Sequence, residues 1–200
     1  MSTIPGDLDY THLIKRAFSV AIRPENLFVL LFGAAVVALG SLFSGALLAG
    51  PLGVGYIDAC RKMVEGKKAE MDDIIWRGFD RWWAALSAGV VLGLLTAALS
   101  MVLVVPGMFA LLFSGLVYGV IAFDAKEPTG MEAIQRVWSM VLARPAPFVI
   151  MGLIASAIGS VLTLTVVGTV VMVAFFYLLS VLIYIQCYEG EGVVTQTQVS

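Results

Sequence analysis

Twelve Lys and Arg, fourteen Asp and Glu, one histidine and two cysteines are the groups in this chain whose types suit acid–base, nucleophilic or metal chemistry. Their spacing offers little of it. Metal ligation needs several His, Cys or carboxylate ligands brought together, yet His12 stands alone and Cys60 and Cys187 are far apart in sequence. No His-Glu metal helix, glycine-rich phosphate loop or nucleophile elbow occurs. The residues therefore predict no catalytic set, no cofactor site and no metal site, and the chain reads as non-enzymatic. What the cations do suit is anion recognition. Lys15, Arg16, Arg77, Arg81 and Arg136 are candidate contacts for lipid headgroups or for a cytoplasmic protein partner. Nucleic acid is not expected, because no basic run exceeds two residues and the net charge is -2.

Three of those arginines sit in one recurring pattern. Ile14-Lys-Arg16-Ala-Phe18-Ser19 aligns with Ile75-Trp-Arg77-Gly-Phe79-Asp80 and with Ile134-Gln-Arg136-Val-Trp138-Ser139, at intervals of 61 and 59 residues. A fixed period of this kind is architectural. Each copy lies on an amphipathic helical pattern. Tyr10, Leu13, Ile14, Ala17, Phe18 and Ala21 form the first apolar stripe. Met71, Ile74, Ile75, Phe79 and Trp82 form the second, and Met131, Ile134, Trp138 and Val141 the third. Thr129 and Glu132 have capping-box spacing at the start of the third. Helices with one apolar stripe, tryptophans and basic residues suit the headgroup plane, and Trp76, Trp82, Trp83 and Trp138 read as an interfacial belt.

Each copy is followed by a block without a single ionised residue: Asn26–Ile57, Trp82–Phe123 and Pro145–Tyr188, of 32, 42 and 44 residues. A span needs roughly 20 apolar residues, so these blocks place the chain in a membrane. The two longer ones each hold two spans. Gly50-Pro51, Pro106-Gly107 and Gly168 are the expected breaks at the hairpin tips. The first block is the misfit: a break at Gly50 leaves a good span over Leu27–Ala49, but Leu52–Met63 contains Asp58, Arg61 and Lys62. That helix is expected to be short, either partly interfacial or crossing with its charged end snorkelling. Asp58 is expected to pair locally with Arg61 or Lys62. The N-terminus lacks the form of a cleaved signal, and the first span is expected to serve as its own insertion signal.

The resulting expectation is an all-α polytopic membrane protein of about six transmembrane helices. They form three helical hairpins, each preceded by an interfacial amphipathic helix, in one domain over residues 1–200. The repeats run over about 9–66, 70–126 and 129–190, with a polar tail at 191–200. All basic residues lie on the side of the termini and the inter-repeat segments, which puts both termini in the cytoplasm. Cys60 and Cys187 then face a compartment that keeps thiols reduced. Small residues four apart, namely Gly89 and Gly93, Gly115 and Gly119, and Gly152, Ser156 and Ser160, are candidate helix-packing faces. Ser44, Ser87, Thr96, Ser100 and Thr163 read, like those serines, as hydroxyls satisfying helix carbonyls rather than lining a pathway.

The segment Gly50-Pro51-Leu52-Gly53-Val54-Gly55-Tyr56, followed by Gly66-Lys67 and by Asp72-Asp73-Ile74-Ile75-Trp76-Arg77-Gly78-Phe79, resembles a large group of uncharacterised bacterial six-helix integral membrane proteins. That group is related in pattern to the membrane domain fused to some glycerophosphodiester phosphodiesterases. The resemblance implies a six-helix fold in a bacterial inner membrane and no shared catalytic residues. The architecture is also similar to that of the mitochondrial carriers, whose Pro-x-Asp/Glu-x-x-Lys/Arg signature is absent here. Two functions remain in view: a non-enzymatic scaffold or accessory subunit contacting lipids, a protein partner or a second copy, and a transporter or channel for a small or lipidic solute without proton or sodium coupling. The charge-free spans favour the first.

Overall fold

The computed structural model describes residues 10–44, 47–102, 104–162 and 166–186. These fold into nine α-helices with no strand among the described residues. In chain order they are α1 (Tyr10–Ala21), α2 (Pro24–Phe43), α3 (Ala49–Val64), α4 (Met71–Asp80), α5 (Trp82–Val102), α6 (Val104–Phe123), α7 (Gly130–Ala143), α8 (Pro145–Leu162) and α9 (Val166–Tyr184).

Helices α2 and α5 each contain an 18-residue stretch long and apolar enough to cross a membrane, Pro24–Ser41 and Trp82–Leu99, with mean hydropathy 1.6 and 1.8. Helices α7 and α8 meet that test jointly but are bent by 99° at their junction, which leaves two or three candidate spans. Within α6 and α9, Gly107–Phe123 and Gly168–Tyr184 are apolar but shorter. The outward side chains agree with a hydrocarbon surround: Phe28, Phe32, Leu39, Phe43, Leu94 and Leu153 are all exposed.

The breaks fall a little earlier than Gly50-Pro51, Pro106-Gly107 and Gly168. Helix α2 ends at Phe43 and α3 begins at Ala49; α5 ends at Val102 and α6 begins at Val104; α8 ends at Leu162 and α9 begins at Val166. Pro51, Pro106 and Gly168 are each the third residue of the following helix. The physical reason is that the first four helical N–H groups have no intrahelical acceptor, so a proline there sacrifices no hydrogen bond. Pro51, Pro106 and Gly168 thus each lie in the first turn of a described helix, and residues 45–46, 103 and 163–165 lie outside the described residues.

The structure adds most at α3. The segment expected to be short, either partly interfacial or crossing with its charged end snorkelling, lies at the centre of the bundle, in contact with α2, α4, α5, α6 and α9. Gly50 to Ile57, Ala59, Cys60, Met63 and Val64 are all buried. Its weak hydropathy reflects enclosure by protein, since a helix that never meets lipid needs close packing rather than an apolar surface. Glycines supply that packing. A Cβ on Gly55 would overlap the Ile74 carbonyl of α4, one on Gly78 of α4 would overlap the Pro51 carbonyl, and one on Gly50 would overlap the Ala85 carbonyl of α5. The α3 backbone therefore touches two neighbouring backbones directly. Around it the core is built from Leu13, Ile74, Leu92, Leu112, Leu116, Met151 and Leu178. Tyr56 anchors α3 to α2 by donating its hydroxyl to the Leu30 carbonyl at 2.6 Å.

Candidate headgroup-contact surface

Helices α1, α4 and α7 carry the recurring Ile-x-Arg-x-aromatic pattern. Local sequence starts two of them. At α7 the expected capping box forms, the Thr129 hydroxyl accepting from the Glu132 N–H and Glu132 accepting from the Thr129 N–H at 2.9 Å. At α4 the Glu70 N–H donates to Asp73 at 3.0 Å. Acidic first turns, Asp72 and Asp73 in α4 and Glu132 in α7, also complement the positive helix ends.

In all three copies the residue after the arginine faces the bundle: Ala17, Gly78 and Val137 are buried. The aromatic that follows faces out, Phe18 at 49%, Phe79 at 39% and Trp138 at 58% exposure. Ser19 and Ser139 donate to the carbonyls of Arg16 and Arg136, at 2.9 and 2.7 Å, making the same local bond in two copies. The apolar stripes read from sequence are thus divided. Leu13, Ala17 and Ile74 bury against the bundle, Ile14, Ala21, Trp82, Ile134 and Val141 are half-buried, and Phe18, Phe79 and Trp138, with Ile75, Trp76, Trp83 and Met131, stay exposed. Tryptophans in such a position suit a membrane–water boundary.

The five candidate cations divide as well. Lys15 and Arg77 are exposed and Arg16 is half-buried. Arg81 and Arg136 instead converge on one residue. Arg81 donates to the carbonyls of Ile121 and Asp124, the latter at 2.9 Å, and lies 3.7 Å from Glu127. Arg136 forms an ion pair with the Asp124 carboxylate. Together they clamp the C-terminal end of α6, whose last carbonyls lack intrahelical partners, to the α4–α5 corner and to α7. Beside them, Lys62 bridges Asp58 of α3 at 3.5 Å and Asp73 of α4 at 2.6 Å. Asp58 therefore has the local partner its spacing suggested. Burial works against charge on Asp73, but its contact with Lys62 outweighs it, holding the Asp73 carboxyl below its usual range. Arg61 pairs with Glu65 at 2.7 Å and lies over the Phe123 ring at 4.4 Å.

The small-residue candidates also separate by environment. Gly89 of α5 stands against Gly50 of α3, where an added Cβ would come within 2.6 Å of the Gly50 Cα. Gly115 of α6 packs on Ser180 of α9, and Gly152 of α8 on the Phe109 ring. Gly119 meets only ordinary van der Waals distances, 3.6 Å or more, and Gly93 is half-buried. Ser156 is buried and donates to the Gly152 carbonyl at 2.6 Å, and Ser160 to Ser156 at 2.7 Å. Ser44 and Ser87 likewise bond within their own segment, to Gly40 and Ala84. Thr163, Cys187 and the side chain of Ser100 lie outside the described residues.

Sequence reasoning passed over Gly50, Gly55 and Gly78 as contact points because all three were read as turn or motif residues. It also passed over a polar cavity at the α1–α2 corner, lined by Arg23, Glu25, Lys67 and Lys68. Among the described residues no group of three or more His, Cys, Asp or Glu is placed to hold a metal ion.

The chain thus belongs, by its structure, to the class of all-α proteins with helices apolar enough to cross a membrane. No protein-family model, curated protein or solved structure matches it.

Proposed function

We propose that this chain is a non-enzymatic integral membrane scaffold or accessory subunit of a bacterial cytoplasmic membrane. It has six spans in three hairpins, each introduced by an interfacial helix, and both termini are cytoplasmic. The observation that carries this reading is the shared disposition of α1, α4 and α7, with Ala17, Gly78 and Val137 turned into the bundle and Phe18, Phe79 and Trp138 turned out. A helix held by small residues on one side and offering aromatics and cations on the other is built to rest on headgroups or on a partner seated there. Consecutive packing of α2 on α3, α5 on α6, and α8 on α9 supports the hairpins, and the 99° bend between α7 and α8 supports a surface helix leading into a span.

The centre of the bundle favours a scaffold over an uncoupled transporter or channel. A path along the axis would have to displace α3, whose Tyr56 packs edge-on against Tyr177 at 5.2 Å, while Tyr177 stacks on Tyr118 at 6.3 Å. The test is purification from native membranes in mild detergent. A protein or a second copy is expected to copurify with the wild type, and Trp76→Ala with Trp138→Ala is expected to reduce its yield at least tenfold while leaving the monomer intact. A monomer with no reproducible companion, or solute flux in proteoliposomes above background, would overturn the reading.

Topology has its own test. Cys60 is buried and will not report, whereas Lys68 is 84% exposed on its side chain. Lys68→Cys is expected to resist an impermeant maleimide in intact cells and to react fully once the membrane is opened. Labelling from outside would place this face in the periplasm.

A further inference from the structure

The cavity at the α1–α2 corner occupies about 300 Å³. Its floor is built from buried Asn26 and Met63, and its rim carries exposed Arg23, Glu25, Lys67 and Lys68. Asn26 is fixed by donating its side-chain amide to the Val20 carbonyl at 3.1 Å, which ties the end of α1 to the start of α2 beneath the cavity. Gly66, at φ +73, turns the chain so that Lys67 and Lys68 reach the opposite side. The cavity is therefore closed below by α2 and α3 and open on the face that carries the cations.

The signs around it select the kind of ligand. Three cations, Arg23, Lys67 and Lys68, meet three carboxylates: Glu25 on the rim, Glu65 at 2.6 Å from Lys67 and Glu70 at 2.8 Å from Lys68. The two lysine pairs are exposed, and such pairs are weak enough to open for a better acceptor. Glu65 keeps Arg61 as a partner at 2.7 Å when Lys67 swings away. Arginine and lysine donors suit a phosphodiester, and Glu25 suits an ammonium. A ligand of one sign would meet repulsion from half of this set.

We propose that this cavity binds the zwitterionic phosphoethanolamine headgroup, phosphate toward Arg23, Lys67 and Lys68 and ammonium toward Glu25. The assignment rests on the reading that this corner of the molecule lies at headgroup level. The same chemistry is presented by phosphatidylethanolamine in the bilayer and by soluble O-phosphoethanolamine, and the test separates them.

The full chain, purified in detergent, is incubated with equimolar phosphatidylethanolamine, phosphatidylcholine and phosphatidylglycerol, and retained lipid is counted by native mass spectrometry. One phosphatidylethanolamine is expected to be retained with at least tenfold preference over each of the others, and O-phosphoethanolamine is expected to compete at millimolar concentration. Arg23→Ala should abolish the preference. Glu25→Gln should reduce retention of phosphatidylethanolamine while raising that of phosphatidylglycerol. Both side chains are exposed, and an unchanged Tm certifies each variant as folded. Equal retention of the three lipids, preference for phosphatidylglycerol in the wild type, or indifference to both substitutions would overturn the proposal. Competition by O-phosphoethanolamine without lipid retention would move the ligand from bilayer to solution. Failure to copurify a partner would leave this result untouched, so the two readings fail separately.

Discussion

Gly78→Val is expected to lower the Tm of the detergent-solubilised protein by roughly 10 °C, the equivalent of about 3 kcal/mol for a chain of this size. Of the three carbons added at Gly78, the Cβ would be driven into the Pro51 carbonyl, a backbone atom that cannot rotate away. Relief requires α4 to lift from α3. That movement would also pull Ile74 from its buried site and strain the Lys62–Asp73 contact. Valine in a helix otherwise outperforms glycine, so intrinsic propensity opposes the predicted change and makes its sign informative. Gly119→Ala is the matched control, because a Cβ there meets atoms only at 3.6 Å and beyond. It is expected to be neutral or slightly stabilising. Scanning fluorimetry of the two variants beside the wild type decides the matter; a Gly78→Val shift within about 2 °C would mean that α4 rides loosely on α3.

This prediction marks what the sequence could and could not convey. Element type was legible, because charge-free blocks and three-to-four-residue spacing report directly on helices. The first two amphipathic segments were found from stripes that include Leu13, Ala17 and Ile74, which do bury. In the third, Met131 and Trp138 are exposed, Ile134 and Val141 are half-buried, and Val137, outside the stripe, is the residue that buries. What hydropathy cannot convey is which apolar surface meets protein and which meets lipid. The exposed Phe28 and the buried Phe176 have the same hydropathy and opposite surroundings. Helix α3 shows the cost of that ambiguity. Its glycines, with Asp58, Arg61 and Lys62, depress its mean hydropathy, and on a transfer scale it therefore reads as a poor span. Close backbone approach at Gly50 and Gly55, together with ion pairing at its charged end, makes the same residues suited to the centre.

The intramolecular contacts of Arg81 and Arg136 were not legible for a related reason. A basic residue beside an apolar block satisfies the positive-inside rule whether it points at a phosphate or back at its own chain. Nothing local distinguishes Arg77, which is exposed, from Arg81 four residues later, which reaches across to the end of α6. The separation between Arg81 and its acceptors is 40 residues and more, and a contact at that range leaves no trace in local spacing.

The convergence of Arg81 and Arg136 on Asp124 leads to the second large effect. The Asp124 side chain is 14% exposed, and its Oδ2 is enclosed, with Arg136 as its counter-ion. Removing one partner of a buried pair costs far more than the pair is worth, because the remaining charge stays desolvated. Arg136 is 40% exposed, so water reaches part of the site and moderates the effect. Arg136→Ala is accordingly expected to cost about 2 kcal/mol and to lower Tm by roughly 6 °C. Adding Asp124→Asn should recover at least half of that loss, since the amide keeps the shape and removes the stranded charge. The recovery is what separates this account from simple loss of Arg136 packing, which the second substitution would not mend. Arg81→Lys provides a further check. One guanidinium nitrogen of Arg81 donates to both the Ile121 and the Asp124 carbonyls while a second faces Glu127. The single nitrogen of lysine cannot occupy both positions, so it should destabilise the end of α6 despite conserving charge. If Arg136→Ala/Asp124→Asn melts no higher than Arg136→Ala, Arg136 is not holding α6 through the Asp124 carboxylate, and it returns to the set of cations free to meet headgroups.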